Sequence, residues 1–80
     1  MPPTRTPDDH QLQQRRDVGE RIRALRRHRA LSQERLGELV HLDRRTIGRY
    51  ENGLAPPTLD ELGAIARALG IEAWQLLRDE

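Results

Sequence analysis

The sequence predicts an all-α domain of five short helices, and three observations carry that prediction. Leu, Ala, Arg, Gln and Glu are plentiful while β-branched residues are scarce, a composition that favours helices over strands. Apolar residues recur at intervals of three and four within short stretches, the period of a helix with one buried face. Capping residues precede those stretches, and glycine or proline punctuates them.

The segment from Met1 to Pro7 is Pro-rich and is expected to be a flexible tail. Residues 1–16 are read as a tail able to extend the first helix, with Thr6 as N-cap, Pro7 at the first helical position and Asp9 in an acidic first turn. The domain proper is placed at residues 17–78. Val18, Ile22 and Leu25 form the inner stripe of helix one, which is expected to end near Arg29 and carries arginines on its other faces. Ser32 caps a second helix whose buried face is Leu36, Leu39 and Val40, and which stops at His41-Leu42-Asp43. Asp43 caps a third, Arg44 to Glu51, with Ile47 and Tyr50 facing inward and Asn52-Gly53 as its stop signal.

Pro56-Pro57 bars a helix, and Thr58 to Glu61 then reads as a capping box. The fourth helix carries Leu59, Leu62, Ile65, Ala66 and Leu69 on one face and ends at Gly70. Ile71, Trp74 and Leu77 lie at i, i+3 and i+6, so they are expected to form the inner stripe of a fifth helix. That phase leaves Leu76 exposed beside Trp74, and with Leu12 it is the candidate for a dimer contact.

Composition excludes much. Chains of 80 residues bury only about 60% of their unfolded surface, so one domain is expected. No stretch reaches the roughly 18 apolar residues of a transmembrane helix, and no secretory signal is visible; no membrane partner is expected, and the expected location is the cytoplasm, on the nucleoid of a bacterium or phage-infected cell. Absence of cysteine removes disulfides, thiolate zinc sites and cysteine nucleophiles together. The single serine, Ser32, sits where a helix cap belongs, and His10, His28 and His41 have no metal-ligand spacing. Neither an enzyme nor a metal or other cofactor is expected.

The net charge of +1 hides a division: Arg15 to Arg49 holds 11 arginines against five acids, while Tyr50 to Glu80 holds two against six. A basic half beside an acidic one suits a protein that turns one face to a polyanion. Around helix three, with Ile47 and Tyr50 inward, Arg45, Gly48 and Arg49 lie opposite and Arg44 at the edge. Two short helices joined by three residues, the second bearing cations outward, make a helix-turn-helix unit if their axes cross steeply.

The stretches Val18 to Arg26, Leu31 to Leu36, Thr46 to Gly53, Pro57-Thr58-Leu59 and Ala66 to Ile71 resemble, in that order, the phage Cro and repressor helix-turn-helix family, also called the xenobiotic-response-element type. The resemblance implies a five-helix, lambda-repressor-like DNA-binding domain whose third helix enters the major groove. It implies that Arg44, Arg45, Thr46 and Arg49 contact bases or adjacent phosphates. Gln33 matches a glutamine at the start of helix two that contacts DNA backbone or base, Asn52 matches a phosphate-contacting position after the third helix, and Arg26 and Glu51 match a structural salt bridge. Three positions depart from the pattern. Gly37 stands where a small residue, often Ala, is usual; His41 replaces the turn glycine and should adopt positive φ; Gly48 removes one groove-facing side chain.

The expected function is therefore sequence-specific binding of double-stranded DNA by a transcriptional regulator, a repressor before an activator. Its expected partners are palindromic duplex DNA with guanine-containing half-sites and a second copy of the chain. A rival reading is an antitoxin or adaptor that docks a partner protein through an exposed apolar surface. Structured RNA fits poorly, because the narrow deep groove of an A-form helix excludes a recognition helix.

Overall fold

Short polar side chains set the helix starts in this computed structural model, which describes residues 6–78. α1 (Asp9–His28) is capped by Asp8, whose carboxylate accepts from the Gln11 N–H at 2.8 Å while the Gln11 side chain accepts from the Asp8 N–H at 3.0 Å. Thr6 is not the cap, because three residues after Thr6 stands Asp9, whereas Asp8 has a glutamine there to close a reciprocal box. The chain from Asp9 is thus continuous with α1, and the first five residues of the expected tail lie outside the described residues.

Ser32 caps α2 (Gln33–Val40), Asp43 caps α3 (Arg44–Glu51) and Thr58 caps α4 (Leu59–Leu69), each accepting from the N–H three residues on. α5 (Trp74–Leu77) is a single turn without a side-chain cap. Two helices end in the left-handed region, α2 at His41 (φ 61°) as the sequence predicts and α4 at Gly70 (φ 75°). Besides His41, Ala30 (φ 56°) is the other left-handed residue among the described ones that is not glycine, and it was not expected from the sequence. It sits just past α1, where Leu31 N–H reaches back to Arg26 C=O at 3.0 Å, a closure in which glycine is usual.

α3 packs against both α1 and α2, α4 against α2 and α1, and α5 against α1. Their shared core is built on Ile22, Leu36, Ile47, Ile65, Leu69 and Leu76, all fully buried. No described helix is long and apolar enough to cross a membrane.

Three inward assignments fail, each for a geometric reason. Leu39 is exposed because the buried side of α2 runs through Leu36, Gly37 and Val40, placing Leu39 at its rim. Leu59 continues the α4 stripe but is 81% exposed, since at the first helical position no neighbouring helix covers it. In α5 the phase is inverted: Leu76 is fully buried, whereas Trp74 is 60% and Leu77 43% exposed. The i, i+3, i+6 reading assumed a continuous helix from Ile71, but the helix starts only at Trp74, so the stripe has no common axis. Leu76 is therefore core, and the exposed apolar pair is Trp74 with Leu77.

Candidate nucleic-acid interface

α3 is anchored by three buried residues, Ile47, Tyr50 and Glu51. Asp43 fixes its start: its carboxylate accepts from Thr46 N–H at 2.7 Å, and hydrogen bonding from the Thr46 side chain, then from that N–H, holds the acid below its usual range. Tyr50 donates its hydroxyl to Glu61 Oε1 at 2.6 Å, tying α3 to the capping box of α4. Burial and that bond push the Tyr50 hydroxyl up to about 12, while the same bond holds the Glu61 carboxyl down.

The opposite face bears Arg44, Arg45 and Arg49, all exposed, and none takes part in a hydrogen bond or ion pair among the described residues. Thr46 is half-buried, its backbone N–H committed to Asp43. Gly48 lies between the arginines, and the Gln33 carboxamide passes over it; a methyl group on Gly48 would sit 3.6 Å from Gln33 Oε1, an ordinary contact. The side chain missing at Gly48 is thus partly replaced by one reaching across from α2.

Glu51 is the hub behind this face. Arg26 grips it with both ends of the guanidinium, Nε to Oε2 at 2.6 Å and Nη2 to Oε1 at 3.0 Å, and also donates to Leu31 C=O at 2.8 Å. Gln33 Nε2 donates to Glu51 Oε1 at 3.1 Å, and Arg23 Nε approaches the same oxygen at 3.3 Å. Burial alone would raise the Glu51 carboxyl, but the bonds from Arg26, Gln33 and Arg23 and the charge of Arg26 outweigh it and hold the group low. The bond to Glu51 raises Arg26 in turn.

Among the site residues expected from the sequence, the fold brings Gln33, Glu51, Arg26 and Asn52 together and leaves Arg44, Arg45 and Arg49 facing out. Asn52 caps the end of α3, and its Oδ1 accepts from Arg23 Nη2. Arg23 went unassigned in the sequence. The available signal was its position three residues before Arg26, which places both on the side of α1 that meets Glu51.

The turn between α2 and α3 depends on close approach. Leu42 N–H donates to Gly37 C=O at 2.9 Å, and a Cβ on Gly37 would lie 2.3 Å from Leu42 C=O, closer than any real contact. Gly37 therefore lets the turn fold back onto α2, and an alanine there would force the backbone apart.

Two short helices joined at a tight turn, the second locked inward and cationic outward, define a helix-turn-helix domain. Residues 22–73 match the family described as helix-turn-helix, and the chain belongs to that family, in its phage-repressor-like branch. It is 38% identical over 63 residues to the immunity repressor protein of Bacillus phage phi105, covering 79% of this chain and 44% of that one. The chain spans about half the length of the curated relatives it matches. Among solved structures, the P22 c2 repressor protein, in complex with a synthetic operator, superposes with a TM-score of 0.75 at 32% identity, covering 79% of this chain and 96% of that one. The restriction-modification controller protein C.AhdI from Aeromonas hydrophila gives 0.75 at 39% identity, covering 78% and 94%. Among the described residues the architecture is all-helical, in five helices, and it superposes on these two proteins over more than three quarters of the chain.

Proposed function

We propose that this chain is a sequence-specific, double-stranded-DNA-binding transcriptional regulator that acts as a repressor, with α3 in the major groove. One observation carries the reading: three exposed guanidinium groups stand without a salt bridge among the described residues on the outer face of a helix whose inner face is locked by Ile47, Tyr50 and Glu51. Without a polyanion they repel one another; against phosphates and guanine edges they are matched. Arg45 and Arg49 read guanine, Arg44 and Thr46 bind at the helix start, and Gln33 and Asn52 touch the backbone on either side.

A second copy completes the operator. One such domain covers about half a site, so a two-fold dimer on a palindrome follows, with half-sites about one helical turn apart. Trp74 and Leu77 supply exposed apolar surface for that contact. Selection from a random duplex library tests the whole reading: enriched sequences should be inverted repeats with guanine in each half-site. Absence of any duplex binding at low salt would overturn it.

A further inference from the structure

We propose that Arg23 is a positioning residue for DNA binding: it holds the Asn52 carboxamide so that its amino group faces outward as a donor to one backbone phosphate. This rests on the DNA-binding reading above and goes one residue beyond it. Arg23 spans two partners, Glu51 Oε1 through Nε at 3.3 Å and Asn52 Oδ1 through Nη2. A guanidinium carries donors only, so the amide must turn its oxygen toward Arg23 and its amino group away from it. Asn52 is exposed, so that amino group meets solvent at the outer end of α3.

Charge points the same way. Glu51 carries one negative charge against the two positive charges of Arg23 and Arg26, leaving one in excess. Arg26 and Glu51 are buried, while the Arg23 side chain keeps 31% of its exposure, so the excess lies at the surface beside Asn52. The turn that follows requires glycine, because Gly53 has φ 72° and lies against Arg16, whose Cγ would come 2.8 Å from a Cβ added there. An oriented amide donor at the end of α3, with net positive charge behind it, is suited to phosphate. Glu51 thereby orients both flanking amides, Gln33 directly and Asn52 through Arg23.

The test is a double-mutant cycle on affinity for a selected duplex, with thermal unfolding followed in parallel. Asn52→Ala and Arg23→Gln should each weaken binding about tenfold, on specific and random duplexes alike. The double variant should be little weaker than either single one, because Arg23 acts through Asn52. Additive losses, about a hundredfold together, would overturn the proposal while leaving DNA binding intact. Asn52→Asp guards against a folding artefact: it keeps a partner for Arg23, so its unfolding midpoint should not fall, yet it removes the outward donor and should bind at least about tenfold more weakly. Wild-type affinity in Asn52→Asp would also overturn the proposal. A wild-type chain that binds no duplex fails the DNA-binding reading itself, a result distinguishable from either of these.

Discussion

The arginines of α1 and those of α3 differ in employment. Arg21, Arg23 and Arg26 of α1, with Arg29 at its C-cap, reach inward or along the domain, donating to Leu76 C=O at 3.0 Å, to Glu51 and Asn52, to Glu51 and Leu31 C=O, and to Leu69 C=O at 2.7 Å. They tie α1 to the ends of α3, α4 and α5. Arg44, Arg45 and Arg49 tie nothing within the domain. The same residue type thus serves as clamp on one helix and as unoccupied probe on its neighbour, and the difference is set by whether an acceptor lies within reach.

The comparison breaks hardest at Glu51. Glu51→Ala should cost about 3–5 kcal/mol of stability, because it strands the Arg26 charge in the interior, and Arg26→Ala should cost a similar amount. Chemical denaturation measures both; a loss below about 1 kcal/mol would show that the clamps hold little. Gly37→Ala should destabilise by about 1–3 kcal/mol although alanine is the better helix former by about 1 kcal/mol, since the added methyl meets Leu42 C=O. An unchanged denaturation midpoint would mean that the turn can open at no cost.

On the α3 side the expectation is reversed. Arg45→Ala and Arg49→Ala should leave stability within about 0.5 kcal/mol and remove about 1–3 kcal/mol of discrimination at single base pairs, read by competition binding against mismatched duplexes. Unaltered sequence preference in both would remove them from the recognition surface. The smallest effect is on pH. Asp43, Glu51 and Glu61 are held below their ordinary values, so their stabilisation is present above about pH 4 and is lost as pH falls through the folded values. Tyr50 works in the other direction: its hydroxyl is pushed up to about 12, so stability present below about pH 10 is lost as pH rises through the folded value. Thermal midpoints across the pH range should fall at both ends, and Tyr50→Phe should remove the alkaline limb.

What the sequence disclosed follows from how local each cause is. Caps at Ser32, Asp43 and Thr58 depend on neighbours a few positions away and appear where expected, while the left-handed turn at His41 was implied by the family's turn glycine. The Arg26–Glu51 pair was implied by family resemblance; spacing alone could not join residues 25 positions apart. Burial at the ends of helices was least legible. Leu59 and the inverted pair Leu76 and Leu77 depend on which neighbour ends where, and that is settled only by assembly of the whole. Arg23 was hidden for the same reason, because its partners lie on a helix that periodicity does not place against α1.

Every cation on the outer face of α3 is an arginine, and these eighty residues contain no lysine. Guanidinium stays protonated at any pH a cell reaches and offers no amine to acetyl transfer. Acyl transfer and a drift in cellular acidity therefore leave the charge of Arg44, Arg45 and Arg49 unchanged.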